Sequence, residues 1–76
     1  MLLSVNELII DRDYRRIEFL AEFEKGHYMF AGVGHSEGGK FYSNDGDSYA
    51  TDKVIDKYVY DEKLDVLFVY VQPENF

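Results

Sequence analysis

The sequence predicts an all-β domain, or a β domain with one short helix: five to seven short antiparallel strands in a meander, curled into a small barrel or compact sandwich. Three observations carry that expectation. The chain holds 13 Phe and Tyr residues (6 Phe, 7 Tyr), many at the two-residue spacing of strands. Acids occupy many of the intervening positions, giving a net charge of −7. Glycine-containing turn signals recur between the apolar runs.

Tyr14 to Glu24 is the clearest element. Ile17, Phe19, Ala21 and Phe23 alternate with Glu18, Leu20 and Glu22, the pattern of a strand with one wet face. Lys25-Gly26 then reads as a two-residue turn, returning the chain along His27 to Gly34. That register sets Phe23 opposite Tyr28, Ala21 opposite Phe30 and Phe19 opposite Gly32, with Phe19, Phe23 and Phe30 as core. The other face pairs Glu24 with His27, Glu22 with Met29 and Leu20 with Ala31.

A Gly-rich link, Ser36 to Gly39, separates this hairpin from a second one around Asp45-Gly46. Asp-Gly suits a type I′ turn, whose central residues need positive φ, and it would set Tyr42 opposite Tyr49. Val54 to Tyr60 reads as a strand, although a helical turn near Thr51 to Ile55 is an alternative. Asp61-Glu62-Lys63 then loops into a strand from Leu64 to Val71, which Pro73 ends. Leu2 to Ile10 is rich in Leu, Val and Ile and reads as a first strand; Ser4-Val5-Asn6-Glu7 matches a capping box, here taken as coincidence.

Length and composition bound the rest. Residues 1–76 make a single small domain near the lower limit for a self-sufficient core. The absence of cysteine excludes disulfides and thiolate metal sites. No run approaches the ~20 apolar residues of a membrane-spanning helix. Met1 to Val5 lacks the basic and long apolar regions of a signal peptide, so the expectation is a cytoplasmic protein with no membrane partner. Residues 1–43 hold seven acids and five bases, and residues 44–76 hold eight acids and three bases. Such a field disfavours direct nucleic-acid binding and favours a basic protein partner.

Candidate chemistry is thin. His27 beside Glu24 has the types of an oriented general base, but a surface cross-strand ion pair is the better reading. His35-Ser36-Glu37 holds the residue types of a hydrolytic triad, yet triads are assembled from separated parts of a chain, so a loop is expected. Asn44-Asp45-Gly46-Asp47, with Asp52 and Asp56, departs from a calcium loop by Ala50 and by Asp56 at the last ligand position. Arg12, Arg15 and Arg16 lie among Asp11, Asp13 and Glu18 and read as a self-neutralising turn. The expectation is therefore not an enzyme, with no cofactor and no metal.

The leading expectation is an acidic protein-binding module that occupies a basic surface on a larger partner. Inhibitors, immunity proteins and antitoxins have comparable size and charge. Asp45, Asp47, Asp52, Asp56, Asp61, Glu62 and Asp65 are the nominated acids. The alternatives are an aromatic-groove barrel that binds a peptide or ligand through Tyr42, Tyr49, Tyr58 and Tyr60, and a structural subunit. The tail strand is apolar on both sides, which suggests a homodimer that Val69→Lys or Val71→Lys would separate.

Overall fold

A computed structural model describes residues 3–46 and 49–72. Its first element is helical. Val5 and Ile9, four residues apart, both turn inward and are fully buried, whereas Ile10 is 66% exposed. That spacing suits a helical turn, and α1 (Val5–Leu8) forms there. Ser4 caps it, with its backbone N–H donating to Glu7 Oε1 at 3.3 Å. The expected first strand is thus corrected: the capping box is real, because one turn suffices to carry two apolar side chains onto the sheet.

Five strands follow: β1 (Arg16–Glu24), β2 (His27–Glu37), β3 (Lys40–Ser43), β4 (Lys57–Asp61) and β5 (Val66–Val71). The β1–β2 hairpin forms, and its pairs Glu24–His27 and Phe19–Gly32 match the sequence reading. Between them the register shifts twice, at Phe23 on β1 and at Ala31 on β2. Glu22 therefore faces Tyr28, Ala21 faces Met29 and Leu20 faces Phe30. Each irregularity adds one residue to one strand, so the two cancel while re-aiming the side chains between them. Phe19 is core at 1% exposure, but Phe23 (54%) and Phe30 (56%) are not.

The second hairpin also differs. Gly38 (φ +61°) and Gly39 (φ +79°) make the tight turn, and β3 pairs antiparallel with β2. His35 and Ser36 consequently lie within a strand, where a loop was expected. Gly46 does have positive φ (+82°), yet among the described residues no strand follows it to pair with β3, and Asp47 and Ser48 of the expected return strand lie outside them. Residues 49–56 instead cross one face of the sheet to its far edge. There β4 and β5 form an antiparallel hairpin around residues 62–65, as the Asp61-Glu62-Lys63 loop implied. Asp61 Oδ1 accepts from the N–H groups of Lys63 and Leu64 (3.0 and 3.1 Å), so Leu64 belongs to the turn and β5 starts at Val66. Pro73 lies outside the described residues.

The sheet order is β3-β2-β1-β5-β4, and β1 runs parallel to β5. This corrects the antiparallel meander: the crossover delivers the last hairpin to the free edge of β1. β3 and β4 remain as edges, so the sheet does not close into a barrel. One face carries Ile17, Phe19 and Ala21 from β1 and Leu67, Val69 and Val71 from β5. Val5, Ile9, Tyr14 and Ile55 complete that core. Residues 3–15 make the covering layer with residues 44–46 and 49–56, tied together by Asn6 N–H to Thr51 O (3.0 Å) and Ile55 N–H to Leu3 O (2.8 Å).

Gly32 and Gly34 in β2 admit this layer. The Tyr49 ring occupies the space above Gly32 and the Phe41 ring that above Gly34, so a β-carbon at either would collide. Both rings reach Phe19: Tyr49 stacks on it at 5.0 Å and Phe41 meets it edge-on at 5.5 Å. Val69 and Val71 point into this core, at 0% and 5% exposure. Lysine at either would bury a charge and unfold the domain, so the apolar side of β5 left uncovered is that of Phe68 and Tyr70.

Candidate protein-binding interface

The two sides of the molecule differ in charge and in apolarity. On the covering layer, the described residues of segments 3–15, 44–46 and 49–56 hold six acids and three bases. Glu7, Asp11, Asp13, Asp45, Asp52 and Asp56 are all exposed there. The chain reversal that lays residues 49–56 beside α1 brings acids of both segments into one layer, while Asp56 is turned to the rim, where Gln72 bridges it to Glu22 of the other face.

Asp45, Asp52 and Asp56, three of the nominated acids, lie in this layer, whereas Asp47 lies outside the described residues. Asp45 accepts hydrogen bonds from Ser43 Oγ and from the Tyr49 phenol. Asp56 Oδ2 accepts from Gln72 Nε2 at 2.6 Å. The other three, Asp61, Glu62 and Asp65, sit at the β4–β5 turn. Asp61 caps that turn, and Asp65 accepts from the Tyr60 phenol at 2.7 Å while facing Arg15 at 4.0 Å. Glu62 is exposed.

The four nominated tyrosines do not line one groove. Tyr49 and Tyr60 pack against the covered core, and Tyr58, 46% exposed, pairs with Val69 on the same side of the sheet. Tyr42 is on the opposite side, stacked on His35 at 5.4 Å. Burial, then the bond to Asp45, raises the Tyr49 phenol above its ordinary 10.0. The Asp65 bond, then burial, does the same at Tyr60.

The other side of the sheet is uncovered. Leu20, Val33, Phe68 and Tyr70 are half-buried, and Phe30, Val59 (49%) and Tyr42 (45%) are exposed. Tyr28 and Tyr70 meet edge-on at 4.9 Å, with Lys57 Nζ 4.6 Å from the Tyr70 ring centre. The strand register places the charged groups Glu18, Glu22, Glu37, Asp61, Arg16, Lys40 and Lys57 on this side. They nearly cancel, and Arg16 Nε donates to Glu18 Oε2 at 2.8 Å. The N–H of Gly26 is the main cause that lowers the Glu22 carboxyl below its ordinary 4.5. The sequence marks Tyr42 as a contact and the tail strand as apolar on both sides, but it leaves Leu20, Phe30, Val33 and Val59 out of any site; the alternation of Leu20 with Phe19 is a signal that marks this face.

The residues with catalytic types are dispersed. Ser36 is buried and hydrogen-bonds twice to Tyr14: its Oγ accepts from the Tyr14 N–H (2.8 Å) and its N–H donates to Tyr14 O (2.9 Å). His35 points to the opposite side of the strand, with Nδ1 2.9 Å from Asn44 Oδ1. His27 lies against Phe23 at 6.1 Å between ring centres. Of the arginines, Arg12 stacks over Tyr60 at 4.2 Å. Among the described residues no three His, Asp or Glu side chains gather in a metal-holding group, and no helix is long and apolar enough to cross a membrane. Comparison with protein-family models, curated proteins and solved structures returned no match to this chain.

Proposed function

We propose that this chain is a small acidic protein-binding module that occupies a basic surface on a larger protein, in the manner of an inhibitor, immunity protein or antitoxin. The observation that carries the reading is that exposed acids from segments 3–15, 44–46 and 49–56 share the layer that covers one face of the sheet. Glu7, Asp11 and Asp13 join Asp45 and Asp52 there, which enlarges the acidic surface beyond the nominated residues, and Asp56 lies at its rim, bridged to Glu22 by Gln72. A field of one sign steers an oppositely charged partner and repels phosphate backbones. Binding by occupancy requires no catalytic group, and the reading assigns none.

The test is affinity capture of partners by the whole chain, repeated at low and high salt and with Asp11→Asn/Asp52→Asn. The expected partner is basic, and its capture weakens with salt and with the double substitution. A partner retained equally under all these conditions overturns the reading and favours an apolar contact, because rim charges act through steering that salt screens.

A further inference from the structure

We propose that the uncovered face of the sheet is a two-fold interface between copies of this chain, leaving both acidic layers turned outward. The face has an apolar centre that crosses the strands: Phe30 on β2, Leu20 on β1 and Tyr70 on β5 lie in register, and one row along Phe68 on β5 faces Val59 on β4, with Phe30 and Val59 about half exposed. Contiguous exposed apolar surface of this kind marks an interaction site. Two sheets packed face to face sit ~10 Å apart with side chains interdigitating, which is how a sandwich core is made. A standard interface removes ~800 Å² per partner, about a sixth of this molecule's 5097 Å². Five strands spaced ~4.8 Å apart give the face a width of roughly 20 Å, on the scale that such an interface needs.

Charge selects a second copy over the basic partner of the acidic layer. The acids and bases that the register places on this face nearly cancel, and the Arg16–Glu18 pair enters already joined at 2.8 Å. A strongly basic partner would find little to neutralise here. Two copies of the chain would bring together faces of nearly balanced charge, because most of the surplus acids lie on the covering layer. The molecule is 26 Å across its shortest principal axis, and apposed copies keep those layers on opposite outer sides. Repulsion at such range is screened at physiological salt, where the Debye length is ~8 Å, but is felt near 0.01 M, where it is ~30 Å. Dimerisation therefore strengthens from very low to physiological salt and then levels off.

The experiment is sedimentation equilibrium of the full chain across the micromolar range, alongside Phe30→Glu, Val59→Lys and Asp52→Asn. The unmodified chain and Asp52→Asn are expected to be dimers. Phe30→Glu and Val59→Lys, with unchanged far-ultraviolet circular dichroism, should raise the dimer dissociation constant at least about ten-fold, as a loss of ~1.4 kcal/mol would. Methyl NMR of the unmodified chain with a soluble paramagnetic probe provides a readout that needs no variant. Leu20, Val33 and Val59 methyls should become protected as concentration rises, while Ile10 on the covering layer stays accessible. A monomer throughout the range overturns the proposal. So does a dimer that survives both face substitutions, or one that protects Ile10 and leaves Leu20, Val33 and Val59 accessible. Partner capture is scored separately: the folded Phe30→Glu monomer keeps its acidic layer and should still bind, so either proposal can fail without the other.

Discussion

The ring of Tyr49 lies over Gly32, in the volume that a β-carbon at that position would fill. The same ring stacks on Phe19 with 24° between planes and meets Phe41 edge-on at 5.5 Å. A bare patch of β2 is thus what lets the 44–56 segment close the core. Gly32→Ala should destabilise the domain by ~1–3 kcal/mol, through displacement of the ring or of the strand. In a Tyr49→Ala background the same substitution should cost much less, since the obstructing atoms are gone. Urea unfolding of the four proteins measures the coupling, and strict additivity would separate Gly32 from Tyr49.

Two phenylalanines four residues apart on β1 should respond differently to truncation. Phe19 is 1% exposed and Phe23 is 54% exposed, because the irregularity beside Glu24 takes Phe23 out of the core register. Phe19→Ala should cost ~3–5 kcal/mol, a large share of the stability of so small a domain. Phe23→Ala should change the unfolding midpoint little. Equal losses at the two positions would restore the uninterrupted alternation that the sequence suggests.

That contrast shows where local pattern stops being informative. The β1–β2 hairpin was legible from alternation and Lys25-Gly26, but an added residue on each strand leaves no mark in a continuous apolar run. Gly38-Gly39 and Asp45-Gly46 are both turn signals, and all three glycines adopt positive φ. Among the described residues the first pair alone closes a hairpin, and Tyr49 is instead placed over Gly32. The Ser4–Glu7 box was also readable, and only the preference for a strand hid it. At the candidate interface the acids were visible as residue types. Their gathering was not, since it depends on contacts between segments more than 40 residues apart, such as Asn6 with Thr51 and Leu3 with Ile55.

Asp65 offers a test of the β4–β5 turn. Among the described residues it is the non-glycine residue with positive φ (56°), and its carboxylate accepts from the Tyr60 phenol at 2.7 Å. Asparagine tolerates that backbone region and keeps an acceptor oxygen, so Asp65→Asn should be close to neutral. Asp65→Ala adds the left-handed penalty of ~1–2 kcal/mol to the loss of the hydrogen bond. Thermal unfolding should rank the parent and Asp65→Asn together, with Asp65→Ala well below. Matching midpoints for all three would mean that neither the backbone conformation nor the Tyr60 bond contributes.

The pH dependence of stability should have an alkaline limb set by Tyr49 and Tyr60. Both phenols are raised above the ordinary 10.0, Tyr49 first by burial and Tyr60 first by its bond to Asp65. A raised folded value means that the unfolded chain loses these protons more readily. The contribution is therefore fully present below pH 10 and is lost as pH rises through the folded values. Glu22 works at the other end: its carboxyl is lowered, chiefly by the Gly26 N–H, so its contribution is present above 4.5 and is lost as pH falls. Urea midpoints measured against pH should fall on both sides of a plateau. Tyr49→Phe removes one titrating phenol and should soften the alkaline fall, while Glu22→Gln should soften the acid one. An alkaline limb identical in Tyr49→Phe and the parent would show that the Tyr49 proton is held no more tightly in the fold than in the unfolded chain.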